Sequence, residues 1–261
     1  MSLEPLPKLA DLLQIAITAA TAGAEELTAQ SGEPFETHTK GEIGNLVTDV
    51  DVAAEHRVRN AIATRRPDDL VSGEELPDSP GARATVRWSI DPLDGTTNYI
   101  RGLPFYCTSV AACSTSTGKW LVGAVVAPAL GVTYFASLGG GAWMSRGGRD
   151  AVRISGPPPG RASRLLGTGF SYSRTVRENQ YAQLPELMTT FSDLRRFGSA
   201  ALEICCVAEG TLDAFHESDL YEYDWAAAAL IAEEAGLSIV RPSVQGAAMS
   251  ATRRTVPPNN G

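Results

Sequence analysis

A chain of 261 residues with 43% hydrophobic and 20% charged residues is long enough to bury a large core and has the ordinary composition of a globular enzyme. Its formal net charge of -8 argues against a general affinity for nucleic acid. No apolar run approaches the roughly 18 residues of a membrane helix, and no signal peptide is recognisable, so we expect no membrane association. An anionic substrate would need a local positive centre in such a protein, and a metal ion would provide one.

The cysteine and histidine patterns favour a reducing compartment and argue against zinc. The four cysteines lie in apolar segments without a CxxC pair, which is typical of reduced core thiols, and we expect a cytoplasmic protein. The three histidines are scattered and include no HExxH pair, so a zinc site has little support.

The first half of the chain predicts two helices followed by a block of strands. Leucines and alanines at helical spacing predict a helix over 7–29, and a loop over 33–47 then contains Lys40. Thr48 caps a second predicted helix, whose first turn carries Asp51. A short strand ends at Gly73, before Glu74. Further strands are predicted over 86–90, 107–113, 120–127 and 132–136.

The second half begins at the GPPPG segment over 156–160, which predicts a boundary between halves 1–155 and 156–242. A helix over 178–190 carries an apolar stripe that we expect in the core. Ser199 is expected to cap the next helix, where free N–H groups suit an anion or a sugar hydroxyl. Asp224 is expected to cap another helix, and 237–240 is the last clear strand before a polar tail over 243–261. This alternation suggests layered α/β sandwiches, and no GxGxxG follows a strand.

The chain is organised around WSIDPLDGTTNYIRGLPFY, over 88–106, where Asp91 and Asp94 stand beside Gly95. Two carboxylates at this spacing are hard-oxygen ligands that suit Mg²⁺ or Mn²⁺. A strand that ends in an Asx-rich turn explains the same residues equally well. Asp51, Glu74 and Asp224 also have local explanations, as helix caps or solvated charges. If all five carboxylates converge, they would hold roughly two or three divalent ions, because that much uncompensated charge is costly.

The order of four motifs resembles the inositol monophosphatase family, which belongs to the lithium-sensitive, magnesium-dependent phosphatases that include fructose-1,6-bisphosphatases. The motifs are GEE over 73–75, DPLDGTTN over 91–98, GSAA over 198–201 and Asp224, and the resemblance covers 7–240. It implies an α/β (α+β) fold, a layered αβαβα sandwich, and a homodimer. It also implies hydrolysis of a small phosphorylated polyol or alcohol by metal-activated water, with two or three Mg²⁺ ions, for which Mn²⁺ can substitute, and without a phosphoenzyme.

The resemblance further implies a role for each matching position. The implied metal ligands are Glu74, Asp91, the Leu93 carbonyl, Asp94 and Asp224. The implied catalytic residues are Glu74 and Thr96, which orient a water, and Asp51, which hydrogen-bonds Thr96. The implied substrate contacts are the N–H groups of Gly95 and Thr96 with phosphate, and Ala200 and Glu217 with the hydroxyl-bearing part. Lys40 is implied to lie on a mobile loop near the third metal.

The substrate implied is myo-inositol 1-phosphate, because Thr97 and Asn98 match the inositol monophosphatase version of the motif. Histidinol-phosphate phosphatase and 3′-phosphoadenosine 5′-phosphate phosphatase remain enzymatic alternatives. A scaffold that binds a protein or RNA complex is the alternative of another class. Arg101 is either a residue beside the site that pairs with an anionic substrate group or a surface charge. Beyond Pro242 relatives commonly add a strand and a helix, for which this sequence gives no clear signal.

Overall fold

The computed structural model describes residues 8–33, 36–39, 46–81 and 84–253, which form six α-helices and fourteen strands. The helices are α1 (Leu9–Ala29), α2 (Asp49–Arg65), α3 (Thr96–Ile100), α4 (Arg174–Leu187), α5 (Ala200–Glu209) and α6 (Glu222–Glu234). The strands of the first half are β1 (Thr37–Thr39), β2 (Leu46–Thr48), β3 (Leu70–Gly73), β4 (Val86–Asp94), β5 (Cys107–Ser114), β6 (Trp120–Ala127), β7 (Val132–Ser137), β8 (Gly141–Arg146) and β9 (Val152–Ile154). The strands of the second half are β10 (Leu165–Thr168), β11 (Asp193–Arg195), β12 (Ala214–Ser218), β13 (Leu237–Val240) and β14 (Ala248–Arg253).

Two large sheets and three helical layers build the molecule. The first sheet has seven strands, in the order β3-β4-β5-β6-β7-β8-β9, and the second has five, in the order β11-β10-β12-β14-β13. Helices α1 and α2 cover one face of the first sheet, and α5 and α6 lie between the two sheets. Helix α4 connects parallel neighbours β10 and β11, so a right-handed crossover puts it on the outer face of the second sheet. The predicted layered αβαβα sandwich is confirmed.

Close packing of small residues brings α6 onto the first sheet. The helix is rich in alanine, and its residues from Trp225 to Ala232 are buried. A Cβ atom added at Gly123 on β6 would lie 2.8 Å from the carbonyl oxygen of Ala227. The backbones of strand and helix therefore touch here, which sets the position at which α6 begins.

Two predicted helix starts are confirmed by their capping bonds. The Thr48 hydroxyl accepts from the N–H groups of Val50 and Asp51, and the Asp51 carboxylate accepts from the Thr48 N–H in return, which is a capping box. The Ser199 hydroxyl accepts from the Leu202 N–H at the start of α5. Local side-chain chemistry therefore starts both helices where the sequence predicts.

Three predictions about helices and loops are wrong. The residue that caps α6 is Tyr221, and Asp224 lies three residues later, within the first turn. Helix α4 starts at Arg174, and its buried residue is Gln180, whereas Tyr181 of the expected core stripe is largely exposed. The loop predicted over 33–47 contributes strands to a two-stranded antiparallel ribbon, β1 with β2. Lys40 lies outside the described residues.

The segment predicted to be a polar tail contains a central strand. Strand β14 pairs antiparallel with β12 on one side and with β13 on the other, and Met249 and Ala251 are fully buried. Its alternation of small and polar residues gave no strand signal, because long-range pairing with two neighbours determines this strand. The division into halves at 155 and 156 stays a prediction, and we note that β9 ends at Ile154 and β10 begins at Leu165.

Candidate active site

A cavity of about 260 Å³ opens where β3 and β4 end and where α5 and α6 begin. Its described lining contains an unusual concentration of carboxylates: Glu74, Asp91, Asp94, Glu203, Glu217, Asp219 and Asp224. Gly95, Thr96, Ala200 and the Leu93 backbone also line it. The structure therefore brings to one cavity every residue that the sequence predicts as a metal ligand.

The β4–α3 turn presents Asp91 and Asp94 to this cavity. The pairing of β4 with β5 shifts register between these two residues, so the strand is distorted where the carboxylates leave it. Asp91 is almost completely buried, and its Oδ1 accepts from the Leu93 N–H at 3.0 Å. Gly95 follows with φ of 100°, and a Cβ atom there would lie 2.9 Å from the Phe105 carbonyl oxygen. The turn therefore requires glycine at this position.

Asp94 is held by the start of α5. Its Oδ2 accepts from the Ser199 hydroxyl and from the Ala201 N–H, each at 2.7 Å. This helix start thus binds a carboxylate of the protein itself. This bond joins the DPLDGTTN segment to the GSAA segment. The predicted contact of Ala200 with a substrate hydroxyl stays a prediction.

Asp51 connects the start of α2 to the same turn. Its Oδ2 accepts from the Thr48 backbone and hydroxyl, and its Oδ1 accepts from the Thr96 hydroxyl at 3.2 Å. The Thr96 hydroxyl also lies 3.1 Å from the Leu93 carbonyl oxygen. Asp51 is fully buried, so it reaches the cavity only through Thr96.

Burial and mutual repulsion raise the pKa values of the clustered carboxylates. Desolvation raises the pKa of Asp91 well above its usual value, and Glu74, Asp94 and Asp224 raise it further. Desolvation also raises the pKa of Asp94, to about 6, although the Ser199 hydroxyl and the Ala201 N–H oppose the shift. The pKa of Asp224 is raised well above its usual value by desolvation and then by Asp94 and Glu74. Desolvation is the largest cause of all three shifts, and Arg196 partly opposes the shift of Asp94.

The donor set fits a hard divalent cation. Carboxylate and carbonyl oxygens are the ligands that Mg²⁺ and Mn²⁺ prefer, and a cation would relieve the repulsion described above. As the side chains lie, no three acidic, histidine or cysteine side chains among the described residues are close enough to coordinate one ion. Donors of the protein engage Asp91, Asp94 and Asp224: Asp224 Oδ2 accepts from the Tyr221 N–H at 2.6 Å, and Asp91 and Asp94 are bound as above. The metal role of these residues stays a prediction.

Two further carboxyl groups of the cavity lining, Glu203 and Glu217, interact electrostatically. Glu217, predicted to contact the substrate, lies against Gly169, where an added Cβ atom would be 2.1 Å from Oε2. Glu203 accepts from the N–H groups of Phe197 and Gly198, while its Oε2 is buried and has no partner among the described residues. Desolvation raises the pKa of both carboxyl groups to about 8, and Glu203 is the next largest cause for Glu217. Both groups are therefore largely protonated near neutral pH.

Aromatic rings form one wall of the cavity. Tyr221 and Tyr223 stack with ring centroids 5.5 Å apart and an interplanar angle of 9°. Tyr221 is 54% exposed, and Tyr172 contributes a further ring to the lining. Tyr221 and Tyr172 thus expose aromatic surface of the kind that stacks on planar groups.

Sequence reasoning missed several residues of this cavity. Arg196 is the cation of the described lining, whereas Arg101 is exposed and is not part of that lining. Nothing in the sequence separates Arg196 from its neighbour Arg195. Glu203 had a signal, because it is a carboxylate in the interior of α5, whose other residues before the terminal Glu209 are apolar. The tyrosine wall had none, since Tyr221 and Tyr223 belong to the start of α6 whereas Tyr172 lies much earlier in the chain, before α4.

Two observations bear on the cellular setting. None of the helices in the described ranges combines the length and apolar character that a membrane crossing requires. The four cysteines are free thiols, and three of them are buried. These findings agree with the predicted reduced thiols and leave the compartment itself a prediction.

Known proteins resemble this chain along nearly its whole length. A family model described as the inositol monophosphatase family matches residues 8–260. Inositol-1-monophosphatase SuhB of Mycobacterium tuberculosis is 40% identical over 199 residues, which cover 74% of this chain and 68% of that protein. Nus factor SuhB of Pseudomonas aeruginosa is 37% identical over 236 residues, covering 86% of this chain and 83% of that protein. The solved structure of the extragenic suppressor protein suhB from Bartonella henselae superposes with a TM-score of 0.83 at 28% identity, covering 93% of this chain and 94% of that one.

Proposed function

Because this chain belongs to the inositol monophosphatase family, we propose that it is a magnesium-dependent phosphomonoesterase that hydrolyses myo-inositol 1-phosphate. The observation that carries the proposal is the convergence of Glu74, Asp91, Asp94 and Asp224 on one cavity, beside Thr96. Uncompensated carboxylates of this number serve no purpose in packing, because burial makes each of them costly without a cation.

In the proposed mechanism the acidic end of the cavity holds two or three Mg²⁺ ions, for which Mn²⁺ can substitute. Glu74, Asp91, Asp94, Asp224 and the Leu93 carbonyl would hold them. When bound, the metal supplies Lewis acidity, which neutralises charge on the phosphoryl oxygens and favours the ionisation of water. The remaining steps depend on residues of the chain.

Thr96 and Glu74 orient the attacking water in this proposal. The Thr96 hydroxyl directs its proton toward Asp51 or the Leu93 carbonyl, so an oxygen lone pair is left to accept from the water. The backbone at Gly95 and Thr96 binds the phosphate, and Ala200 and Glu217 bind the hydroxyl-bearing part of the substrate. Among the described lining residues there is no cysteine or histidine, and the Ser199 hydroxyl is engaged by Asp94, which favours direct hydrolysis.

Two alternative substrates are favoured by the tyrosine wall. Inositol has no planar ring, whereas the exposed rings of Tyr221 and Tyr172 can stack on one. Histidinol phosphate carries an imidazole that would stack there, and 3′-phosphoadenosine 5′-phosphate carries a purine. Stacking on aromatic side chains is worth about 1–3 kcal/mol for a nucleobase.

Three further features belong to the same proposal. We infer a homodimer and a cytoplasmic location, and we expect inhibition by lithium. The relatives named Nus factor SuhB make a non-enzymatic scaffold for a protein or RNA complex the rival of another class. Metal-dependent turnover by the purified chain discriminates between the enzyme and a scaffold alone.

The test is phosphate release from a substrate panel, with and without Mg²⁺. The panel contains inositol 1-phosphate, histidinol phosphate, fructose 1,6-bisphosphate and 3′-phosphoadenosine 5′-phosphate. We expect Mg²⁺-dependent turnover that is fastest on inositol 1-phosphate and that Asp94→Asn lowers by at least about 100-fold, since electrostatic stabilisation of this kind contributes that much.

Asp150→Asn is the matched control for that panel. Asp150 is an exposed carboxylate after β8, outside the cavity, so its variant should keep the wild-type rate. If the enzyme prefers histidinol phosphate, the substrate assignment changes but the proposed metal-dependent mechanism stands. An absence of both turnover and Mg²⁺ binding would overturn the proposal and favour the scaffold.

A further inference from the structure

Glu55 is a buried carboxylate beneath the segment that carries Glu74. It lies on α2, one turn after Asp51, and its side chain is completely inaccessible to solvent. It is not part of the cavity lining, so it has no direct access to a metal or a substrate.

The chain that follows β3 is wrapped around this carboxylate. Glu55 Oε2 accepts from the Glu75 N–H at 2.7 Å, and Oε1 accepts from the Leu76 N–H at 3.2 Å. On the other side of Glu74, a Cβ atom added at Gly73 would lie only 2.4 Å from Glu55 Oε1. The Glu55 carboxylate therefore contacts the backbone on both sides of Glu74.

Arg59 completes the arrangement. Its Nε donates to Glu55 Oε1 at 2.8 Å, which gives the buried carboxylate a paired charge. Its guanidinium also donates to the carbonyl oxygens of Val71, at 3.3 Å, and Leu76, at 3.0 Å. The pair thus connects α2 to the strand before Glu74 and to the loop after it.

We propose that Glu55 is a positioning residue that fixes the backbone at Glu74 and thereby sets the affinity of the cavity for Mg²⁺. The inference rests on the proposed function, because it takes the Glu74 carboxylate as a metal ligand. Groups that hold a ligand in place by hydrogen bonds commonly change metal affinity by about 10–100-fold when they are altered.

The test is Glu55→Gln, with Mg²⁺ binding measured by titration calorimetry on the purified full-length chain. The amide has one acceptor oxygen and an NH₂ group, which repels the N–H donors that it would face. We expect Mg²⁺ to bind at least about 10-fold more weakly. Urea unfolding in EDTA, run on the same samples, measures the loss of stability separately.

Asp69→Asn is the matched control, because Asp69 is a buried carboxylate at the opposite end of β3. It pairs with Arg66 through two hydrogen bonds, at 2.7 and 2.8 Å, and accepts from Trp88 Nε1 at 2.9 Å. Glu55→Gln disrupts a buried ion pair within α2, and Asp69→Asn disrupts one in the connection between α2 and β3. Only Glu55 contacts the backbone beside Glu74. The control should lose stability and keep the wild-type affinity for Mg²⁺.

The outcomes separate this inference from the proposed function. Weak Mg²⁺ binding by Glu55→Gln with normal binding by Asp69→Asn supports it. Equal Mg²⁺ affinity in wild type and Glu55→Gln overturns the inference while the proposed function survives. A wild type that binds no Mg²⁺ overturns both.

If Glu55→Gln does not fold, Arg59→Lys replaces it, since lysine keeps the charge but cannot reach Glu55, Val71 and Leu76 together. Arg59→Lys with wild-type Mg²⁺ affinity would also overturn the inference.

Discussion

At the scale of single residues, several polar side chains join elements that are distant in sequence. One oxygen of Asp51 takes part in the cap of α2 and the other accepts from Thr96. The local explanation of Asp51 is therefore confirmed, and its catalytic role stays a prediction. The Asn98 amide donates to the carbonyl oxygens of Phe105 and Phe197, each at 2.7 Å. The DPLDGTTN segment is therefore bonded to both halves of the molecule.

The raised pKa of Glu203 predicts that the stability of the metal-free protein depends on pH. Its pKa rises from 4.5 to about 8 on folding, so between these values the folded state holds a proton that the unfolded chain has lost. The contribution of Glu203 to stability is therefore fully present below about pH 4.5 and is lost as pH rises toward 8, by up to about 1.4 kcal/mol per pH unit. We expect urea unfolding in EDTA to show a smaller loss between about pH 6 and pH 8 for Glu203→Gln, by roughly 1–2 kcal/mol.

Glu186→Gln is the control for this measurement, because Glu186 is an exposed carboxylate on α4. It should reproduce the pH dependence of the wild type. The same loss in wild type and Glu203→Gln would contradict the assignment of a proton to this carboxyl group.

At the scale of elements, the contact of α6 with β6 determines where Asp224 enters the cavity. The contact depends on the absence of a side chain at Gly123, because the nearest atoms are the carbonyl oxygen and Cα of Ala227. Backbone atoms of a buried helix cannot rotate aside as a side chain would. The position of the helix is therefore sensitive to a single methyl group on the strand.

Gly123→Ala is expected to lower the free energy of unfolding by roughly 3 kcal/mol through overpacking, measured by urea titration. The comparison is Gly102→Ala, at an exposed glycine with φ of 69° and no atom near the added Cβ. That variant should cost only about 1 kcal/mol, from backbone strain. A Gly123→Ala variant that is no less stable than Gly102→Ala would show that α6 moves away freely.

At the scale of the whole molecule, the second sheet depends on a strand from the end of the described chain. Strand β14 lies between β12, which carries Glu217, and β13. Without it, β12 would lose a neighbour and the core would lose Met249 and Ala251. Strand β14 therefore supports the strand that brings Glu217 to the cavity.

A chain that ends at Gly246 is therefore expected to lose its cooperative unfolding transition, as followed by circular dichroism on heating. The matched control ends at Arg253 and retains every strand of the sheet. It should unfold at nearly the same temperature as the full chain. A cooperative transition at the wild-type temperature in the shorter chain would contradict the role assigned to β14.

The sequence by itself determined the features that depend on neighbouring residues. The caps at Thr48 and Ser199, the strands over 107–113 and 120–127, and the glycine turn after Asp94 all follow from side chains within a few positions. The ordered motifs also sufficed for the family and its layered fold, because such motifs are specific in combination.

Only the tertiary structure decided which distant residues share the cavity. Arg196, Glu203 and the tyrosine wall come together through the packing of separate loops and helices, which leaves no periodic signal in the chain. Strand β14 likewise depends on two partners that are remote in sequence. Local propensity is weak compared with the burial and hydrogen bonding that such pairing provides, and this is the physical reason why these features had to be seen in three dimensions.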